Sequence, residues 1–298
     1  MESSKKKSLH KKDPSFLREC KEENRKERNK EHNNRQRWRS ENQNISLKRT
    51  QNSYWLFGIH AVTAALINPR RRYTRLLVTD EQNPVLREVK KQGIILRVTP
   101  EIVPKNRLEG YLSPEAVHQG VALRVHPLDL LTIEEALACP GSIVVLDHVT
   151  DPRNIGAILR STAALGGSFL IVQERHAPEE TAVLAKAASG ALESVPIVRV
   201  VNISRALETL QKHGCWTIGL EAQAPLLKGA DFRQKRVALV LGAEGQGLRR
   251  LVREHCDEIA GLYMPQRNPK EKTATMESLN VSIAAAIGLY EVVRYGSL

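Results

Sequence analysis

The chain has 298 residues, with 45 Lys and Arg against 33 Asp and Glu for a net charge of +12. That length can bury a full core and suits two domains, while the absence of any run of roughly 18 apolar residues excludes a helical membrane span. The four cysteines, Cys20, Cys139, Cys215 and Cys256, form no CxxC pair and have no histidines at ligand spacing, which predicts reduced structural thiols, no metal and a cytoplasmic protein.

Taken in chain order, residues 1–53 hold 16 Lys and Arg against 8 Asp and Glu, so most of the positive excess lies in this one segment. It has very few large apolar residues and cannot bury enough surface to offset its ordering entropy, which predicts a disordered, basic tail. Two uses stay open: contact with a polyphosphate such as RNA, whose counterions Lys and Arg displace, or simple solubility. The segment lacks the apolar stretch of a secretory signal and is richer in acids than an organellar transit peptide.

Residues 54–127 read as a small α/β domain. HAVTAALIN (60–68) and PVLREVKKQG (84–93) have helical patterns, and YTRLLVTD (73–80), IILRV (94–98) and GVALRVHP (120–127) read as strands. Residues 128–141 form a linker with one short helix. From 142 to 298 the alternation is stronger. SIVVLDH, SFLIVQ, SVPIVRV, CWTIGLEA, RVALVLGAE and EIAGLYMP are apolar strands, and NIGAILRSTAALG, ISRALETLQKHG and GLRRLVREHC are helices between them. Apolar strands separated by helices predict an α/β domain with a parallel sheet covered on both faces.

Ligands of open parallel sheets bind beyond the carboxyl ends of the strands, and three such places carry unusual residues. In LDHVTDPRNIGAILRSTAALGG (146–167), Asp151 and Pro152 start a helix that places Asn154 in its first turn and Arg160 about two turns in. Small neighbours Gly156, Ala157, Ala163 and Ala164 leave a thin surface that a substrate backbone could approach; otherwise Arg160 is a surface arginine in an ion pair. In VALVLGAEGQGLRRL (237–251), Gly242, Gly245 and Gly247 permit positive φ and close approach of backbone to ligand. Their order is not that of the dinucleotide fingerprint. A tight turn alone explains the glycines but not Glu244 among them. In MESLNVSIAAAIGLYE (276–291), Ser278, Asn280 and Ser282 precede small residues fit for close helix packing. One polar group suffices as a cap, so the others are expected to face a ligand, with Ser282 structural.

Three of these pieces, N-I-G-A-I-L-R (154–160), L-G-A-E-G-Q-G (241–247) and S-L-N-V-S (278–282), together and in this order, resemble the SpoU family of RNA 2′-O-ribose methyltransferases within the SPOUT class. Residues 54–127 are similar to the substrate-binding domain of members that modify a guanosine of large-subunit ribosomal RNA. The resemblance implies a catalytic domain with a deep trefoil knot, S-adenosylmethionine as methyl donor, an RNA substrate, and a homodimer with the active site at its interface. It puts cofactor contacts on Gly242, Leu279 and either Leu262 or Met264. Its catalytic set falls on Asn154, Arg160, Glu244, Ser278 and Asn280. The loop QRNPKEKTAT (266–275) is longer and more charged than is usual in the family. It could bring Arg267, Lys270 or Lys272 to RNA, or simply lengthen a loop at small cost.

Family mechanisms give activation of the 2′-hydroxyl to the arginine. A guanidinium stays protonated, so the expectation for Arg160 is narrower: it binds the adjacent phosphate and stabilises the developing alkoxide. The proton then passes to phosphate, water or a transiently neutral Arg160. Transfer RNA as substrate, and a non-catalytic RNA-binding assembly factor, are the alternatives.

Overall fold

The structure, a computed structural model, describes residues 53–264 and 278–296. The expected basic tail (apart from Ser53) and the loop carrying Arg267, Lys270 and Lys272 lie outside these residues. The described residues form one compact unit built around two sheets.

The first sheet comprises β1 (Tyr54–Phe57), β2 (Tyr73–Val78), β3 (Glu101–Ile102) and β4 (Val121–Val125) in the order β1-β4-β2-β3. Strand β4 pairs antiparallel with β1 and β2, and β3 runs parallel to β2. Helices α1 (Ile59–Ile67), α2 (Pro84–Lys91) and α3 (Lys105–Glu109) connect the strands. Helix α2 shows why the chain turns where it does. Asn83 accepts from the Val85 N–H at 3.1 Å, Pro84 takes the first helical position, and Lys90 and Lys91 lie in the last turn.

The strand expected over IILRV (94–98) does not form. Ile95 is 89% exposed, and the Arg97 N–H donates to the Tyr73 hydroxyl at 3.0 Å instead of to a ladder. The sheet is extended by the two-residue β3 further along, a strand too short to leave a periodic signal. Strand β1, unread in the sequence, pairs residue for residue with β4 from Tyr54↔Val125 to Phe57↔Ala122.

After α4 (Ile133–Ala136), whose N-terminus is closed by the reciprocal Thr132–Glu135 capping box, the second sheet begins. It contains β5 (Ile143–Leu146), β6 (Phe169–Gln173), β7 (Ile197–Val200), β8 (Cys215–Leu220), β9 (Arg236–Leu241) and β10 (Glu258–Ala260). Their order is β10-β8-β9-β5-β6-β7, and every pairing is parallel, as expected. The helices are α5 (Pro152–Ala164), α6 (Ala182–Ala188), α7 (Ile203–Lys212), α8 (Arg250–Glu254) and α9 (Val281–Gly296). Alternate residues divide between the two faces. Val144, Leu146, Leu170, Val172, Leu239 and Leu241 join one core with α5, α6 and α9, while Ile143, Val145, Phe169, Ile171, Ala238 and Val240 join another with α7 and α8.

The first core also takes in Leu56, Leu76, Val78 and Leu123 of the first sheet, so the two sheets share apolar packing. A buried charge cluster reinforces that junction. Arg71, with no exposed surface, reaches Glu180 at 2.5 Å and Glu193 at 2.6 Å. The Tyr54 hydroxyl and the Leu128 N–H donate to Glu180, and Asn68 donates to Glu193. Burial, then the Glu180 carboxylate, holds the Tyr54 phenol well above its ordinary value. A guanidinium is suited to this position because its fixed fork serves two carboxylates at once.

Candidate active site

Helix α5 begins as the sequence implies: Asp151 accepts from the Arg153 N–H at 2.8 Å and Pro152 sits at the first position. This puts Asn154 one turn in, facing the loop that leaves β9. That loop is a tight turn in which the Gly247 N–H donates to the Ala243 carbonyl at 2.9 Å. Gly245 (φ +82°) and Gly247 (φ +67°) take the left-handed conformation, and a Cβ on Gly242 would collide with the Gly247 carbonyl group. The turn therefore closes only with these glycines, and it carries Glu244 outward.

Glu244 is the acceptor at the centre of the site. Its Oε1 receives Asn280 Nδ2 at 2.7 Å, Asn154 Nδ2 at 3.1 Å and the Val281 N–H at 3.3 Å. The second Asn280 amide hydrogen goes to Asn154 Oδ1 at 3.1 Å. Asn280 Oδ1 in turn accepts from the Ser282 N–H at 2.9 Å and the Ser282 hydroxyl at 2.6 Å, which caps α9. Three chain segments thus meet on one carboxylate, and Glu244 Oε2 has no protein partner among the described residues.

The other expected residues stand as follows. Ser278 is exposed, and Leu279, Leu262 and Met264 are half-buried; Leu262 packs on the main core, and Met264 lies beyond the end of β10. Ser282 is structural, as expected. Arg160 is exposed and makes no ion pair or side-chain hydrogen bond among the described residues. It lies six residues beyond Asn154, roughly 9 Å along the helix, and Glu244 orients Asn154 rather than Arg160.

One expectation is corrected. Gly156 does not open a surface for substrate: it is buried, and a Cβ there would lie 2.5 Å from Ala187 Cβ and 2.6 Å from the Leu184 carbonyl oxygen. Its purpose is the close packing of α5 on α6. Gly288 has the equivalent role in α9, where a Cβ would meet Leu239 and Leu220 of the sheet.

Sequence reasoning missed Asp147, whose side chain is fully buried at the end of β5. It accepts from the Arg249 backbone N–H at 3.0 Å and from its Nε at 2.8 Å, pinning the outgoing end of the glycine turn. The signal was present as a lone carboxylate closing an apolar strand. Next to it, His148 adopts φ +61° and packs against His176, with ring centroids 4.3 Å apart and planes tilted by 40°. Burial, then the Arg249 charge and His176, lowers its pKa.

The sequence profile of the SpoU rRNA Methylase family matches residues 141–290. The chain is 35% identical to the 23S rRNA (guanosine-2'-O-)-methyltransferase RlmB of Yersinia pestis over 254 residues, covering 82% of this chain and 98% of that protein. The chain belongs to the SpoU family. A second profile, RNA 2'-O ribose methyltransferase substrate binding, matches residues 55–131 of this SpoU protein. The RlmB of Escherichia coli K12 is also 35% identical, over 256 residues and its full length, covering 82% of this chain. In fold, this SpoU protein is similar to AviRb of Streptomyces viridochromogenes, a SpoU methyltransferase solved with AdoMet, with a TM-score of 0.63 at 24% identity over 81% of this chain and 89% of that one.

Proposed function

We propose that this protein transfers a methyl group from S-adenosylmethionine to the 2′-hydroxyl of a guanosine in 23S-type ribosomal RNA. The observation that carries the reading is the meeting of Asn154, Glu244 and Asn280 on a glycine turn at the carboxyl end of a parallel sheet. Nearly full-length similarity to relatives named for that reaction supports the substrate.

The residues present suit the donor. Nothing would stand within 4 Å of a Cβ on Gly245 or Gly247, so a ligand can come close to backbone N–H and C=O groups there. Gly242, Leu279 and either Leu262 or Met264 would hold it. S-adenosylmethionine supplies an activated methyl on a sulfonium. This chain's task is then to align a sugar oxygen and manage one proton, and alignment can contribute on the order of 7–11 kcal/mol. Asn154, fixed by Glu244 and Asn280, keeps one amide hydrogen to orient the ribose, while Asn280, with both amide hydrogens and its oxygen engaged, holds that arrangement. Ser278, exposed beside them, contacts RNA phosphate. Arg160 binds the phosphate next to the target and stabilises the developing alkoxide.

Within this reading, residues 54–127 are the RNA-binding domain, 128–141 the linker and 142–298 the catalytic domain. The protein works as a cytoplasmic homodimer. Ile283, Ile287 and Tyr290, 50%, 44% and 54% exposed, make an apolar stripe at helical spacing along α9 that a second copy would cover. Arg160 standing apart from its own chain's cluster suits an active site shared between subunits. The knotted threading of the catalytic domain rests on the family; α9 packing against α5 and against residues 229–232 is consistent with it.

The test is methyl transfer from labelled S-adenosylmethionine to ribosomal RNA lacking the modification, with mapping of the 2′-O-methylated position. Label on one guanosine supports the reading. No label, together with no calorimetric binding of S-adenosylmethionine, would leave the non-catalytic RNA-binding alternative in its place.

A further inference from the structure

The first sheet has two faces. Leu56, Leu76, Val78, Val121, Leu123 and Val125 point into the main core. On the opposite face, the end nearest Ser53 carries Trp55, Arg124 and Arg75 side by side on adjacent strands, in register as Trp55↔Arg124 and Arg75↔Arg124. Tyr111, just past α3, joins them with its ring centroid 5.0 Å from that of Trp55. The Arg124 guanidinium lies 5.5 Å from the Trp55 ring centre, and that of Arg75 lies 5.8 Å from Trp55 and 5.5 Å from Tyr111.

We propose that Trp55, Tyr111, Arg75 and Arg124 form a stacking site for an unpaired nucleobase, holding a single-stranded RNA segment outside the nucleotide that is methylated. The site rests on the reading of the protein as an RNA methyltransferase and adds to it a place and a strand form.

Three features favour a ligand over a structural plug. The first is charge: with Arg107 beside Tyr111, three arginines face one carboxylate, Glu101, so the patch keeps a positive excess that phosphate would complement. The second is pre-organisation. Glu101 grips Arg75 with two hydrogen bonds of 2.8 and 2.7 Å, which fixes the guanidinium plane while leaving the side chain 38% exposed. A fixed guanidinium face and a tryptophan ring are surfaces on which an unstacked base can lie. The third is spare capacity: Arg124 spends only Nε, on the Ser53 hydroxyl at 2.9 Å, and its terminal nitrogens have no acceptor among the described residues. Arg75 and Arg107 also draw the Tyr111 phenol down from its ordinary value, consistent with its place in an electropositive patch.

Base stacking discriminates strand form, because only an unpaired base offers a free face, whereas charge alone attracts both forms. The experiment uses the full-length protein and a fluorescent oligonucleotide, single-stranded or annealed to its complement, read by anisotropy. The variants are Arg124→Gln, which keeps a donor for Ser53, and Trp55→Leu, which keeps apolar packing without the ring. Trp55→Leu is expected to weaken single-stranded binding roughly tenfold with duplex binding unchanged, and Arg124→Gln to weaken single-stranded binding by more than duplex binding. S-adenosylmethionine affinity is expected to stay the same in both. Equal weakening for both strand forms, or no change in either, overturns the proposal; if Trp55→Leu unfolds, Arg124→Gln decides by the same comparison. Wild-type methyl transfer measured in parallel separates the two ideas, since its absence sinks the proposed function whatever the variants bind.

Discussion

Asn280 Nδ2 stands 2.7 Å from Glu244 Oε1, so the entrance of the last helix is tied to the glycine turn after β9. The same carboxylate oxygen holds Asn154 of α5. A single anionic acceptor thus sets the orientation of two amides. Replacing Glu244 by Gln keeps a carbonyl acceptor but removes the charge, and hydrogen bonds to a charged group contribute about 1.5–3 kcal/mol. Single-turnover methyl transfer should fall by about 10- to 100-fold in a protein that still folds. Full activity in Glu244→Gln would remove the carboxylate from the mechanism.

Arg160 is exposed and unpaired among the described residues, which frees its charge for RNA. If the charge is what matters, Arg160→Lys retains part of the rate and Arg160→Met loses it, with S-adenosylmethionine affinity intact in both. A dead Lys variant that still binds RNA and cofactor would show that the guanidinium does more than stabilise charge.

Gly242 lies against the carbonyl group of Gly247, where a Cβ has no room. Gly242→Ala should open the turn and abolish calorimetric binding of S-adenosylmethionine. Retained cofactor affinity would mean that the donor does not rest on this turn.

Arg71 is the cation between two buried glutamates at the junction of the sheets. Arg71→Met leaves both carboxylates buried without it, a change that costs about 3–5 kcal/mol. Urea unfolding should show a loss of that size. A midpoint within error of wild type would show that the junction does not depend on the pair.

His148 has a pKa below its ordinary value of 6.5 because burial, Arg249 and His176 disfavour the cation. The unfolded chain binds that proton at a higher pH than the folded one, so stability is full above about 6.5 and falls as pH drops toward the folded value. His148→Asn tolerates the positive φ and removes the titration. Its melting temperature should drop less than that of wild type between about pH 7.5 and 5.5; equal drops would assign the acid sensitivity elsewhere.

Much of this was legible in the residues. The parallel sheet follows from unbroken apolar strands such as FLIVQ and RVALVL, and α2 and α5 start where Asn83–Pro84 and Asp151–Pro152 say they should. The reading failed where a tertiary partner decided the outcome. IILRV has a strand's composition, yet its Arg97 N–H is taken by Tyr73, and the sheet is extended by β3 instead. Gly156 reads as an open surface until α6 is seen against it. Asp147 looked like an ordinary strand end because its partner, Arg249, lies 102 positions away.

By itself the sequence determined which residue types stand at the strand ends and which turns demand glycine, because backbone conformation and burial periodicity are local properties. Only the tertiary structure decided that Glu244 holds Asn154 and Asn280 but not Arg160, and that Trp55 lies beside Arg75 and Arg124. Those pairings are made by strand register and helix packing between distant segments, and no local pattern encodes a distance of a few ångströms across the fold.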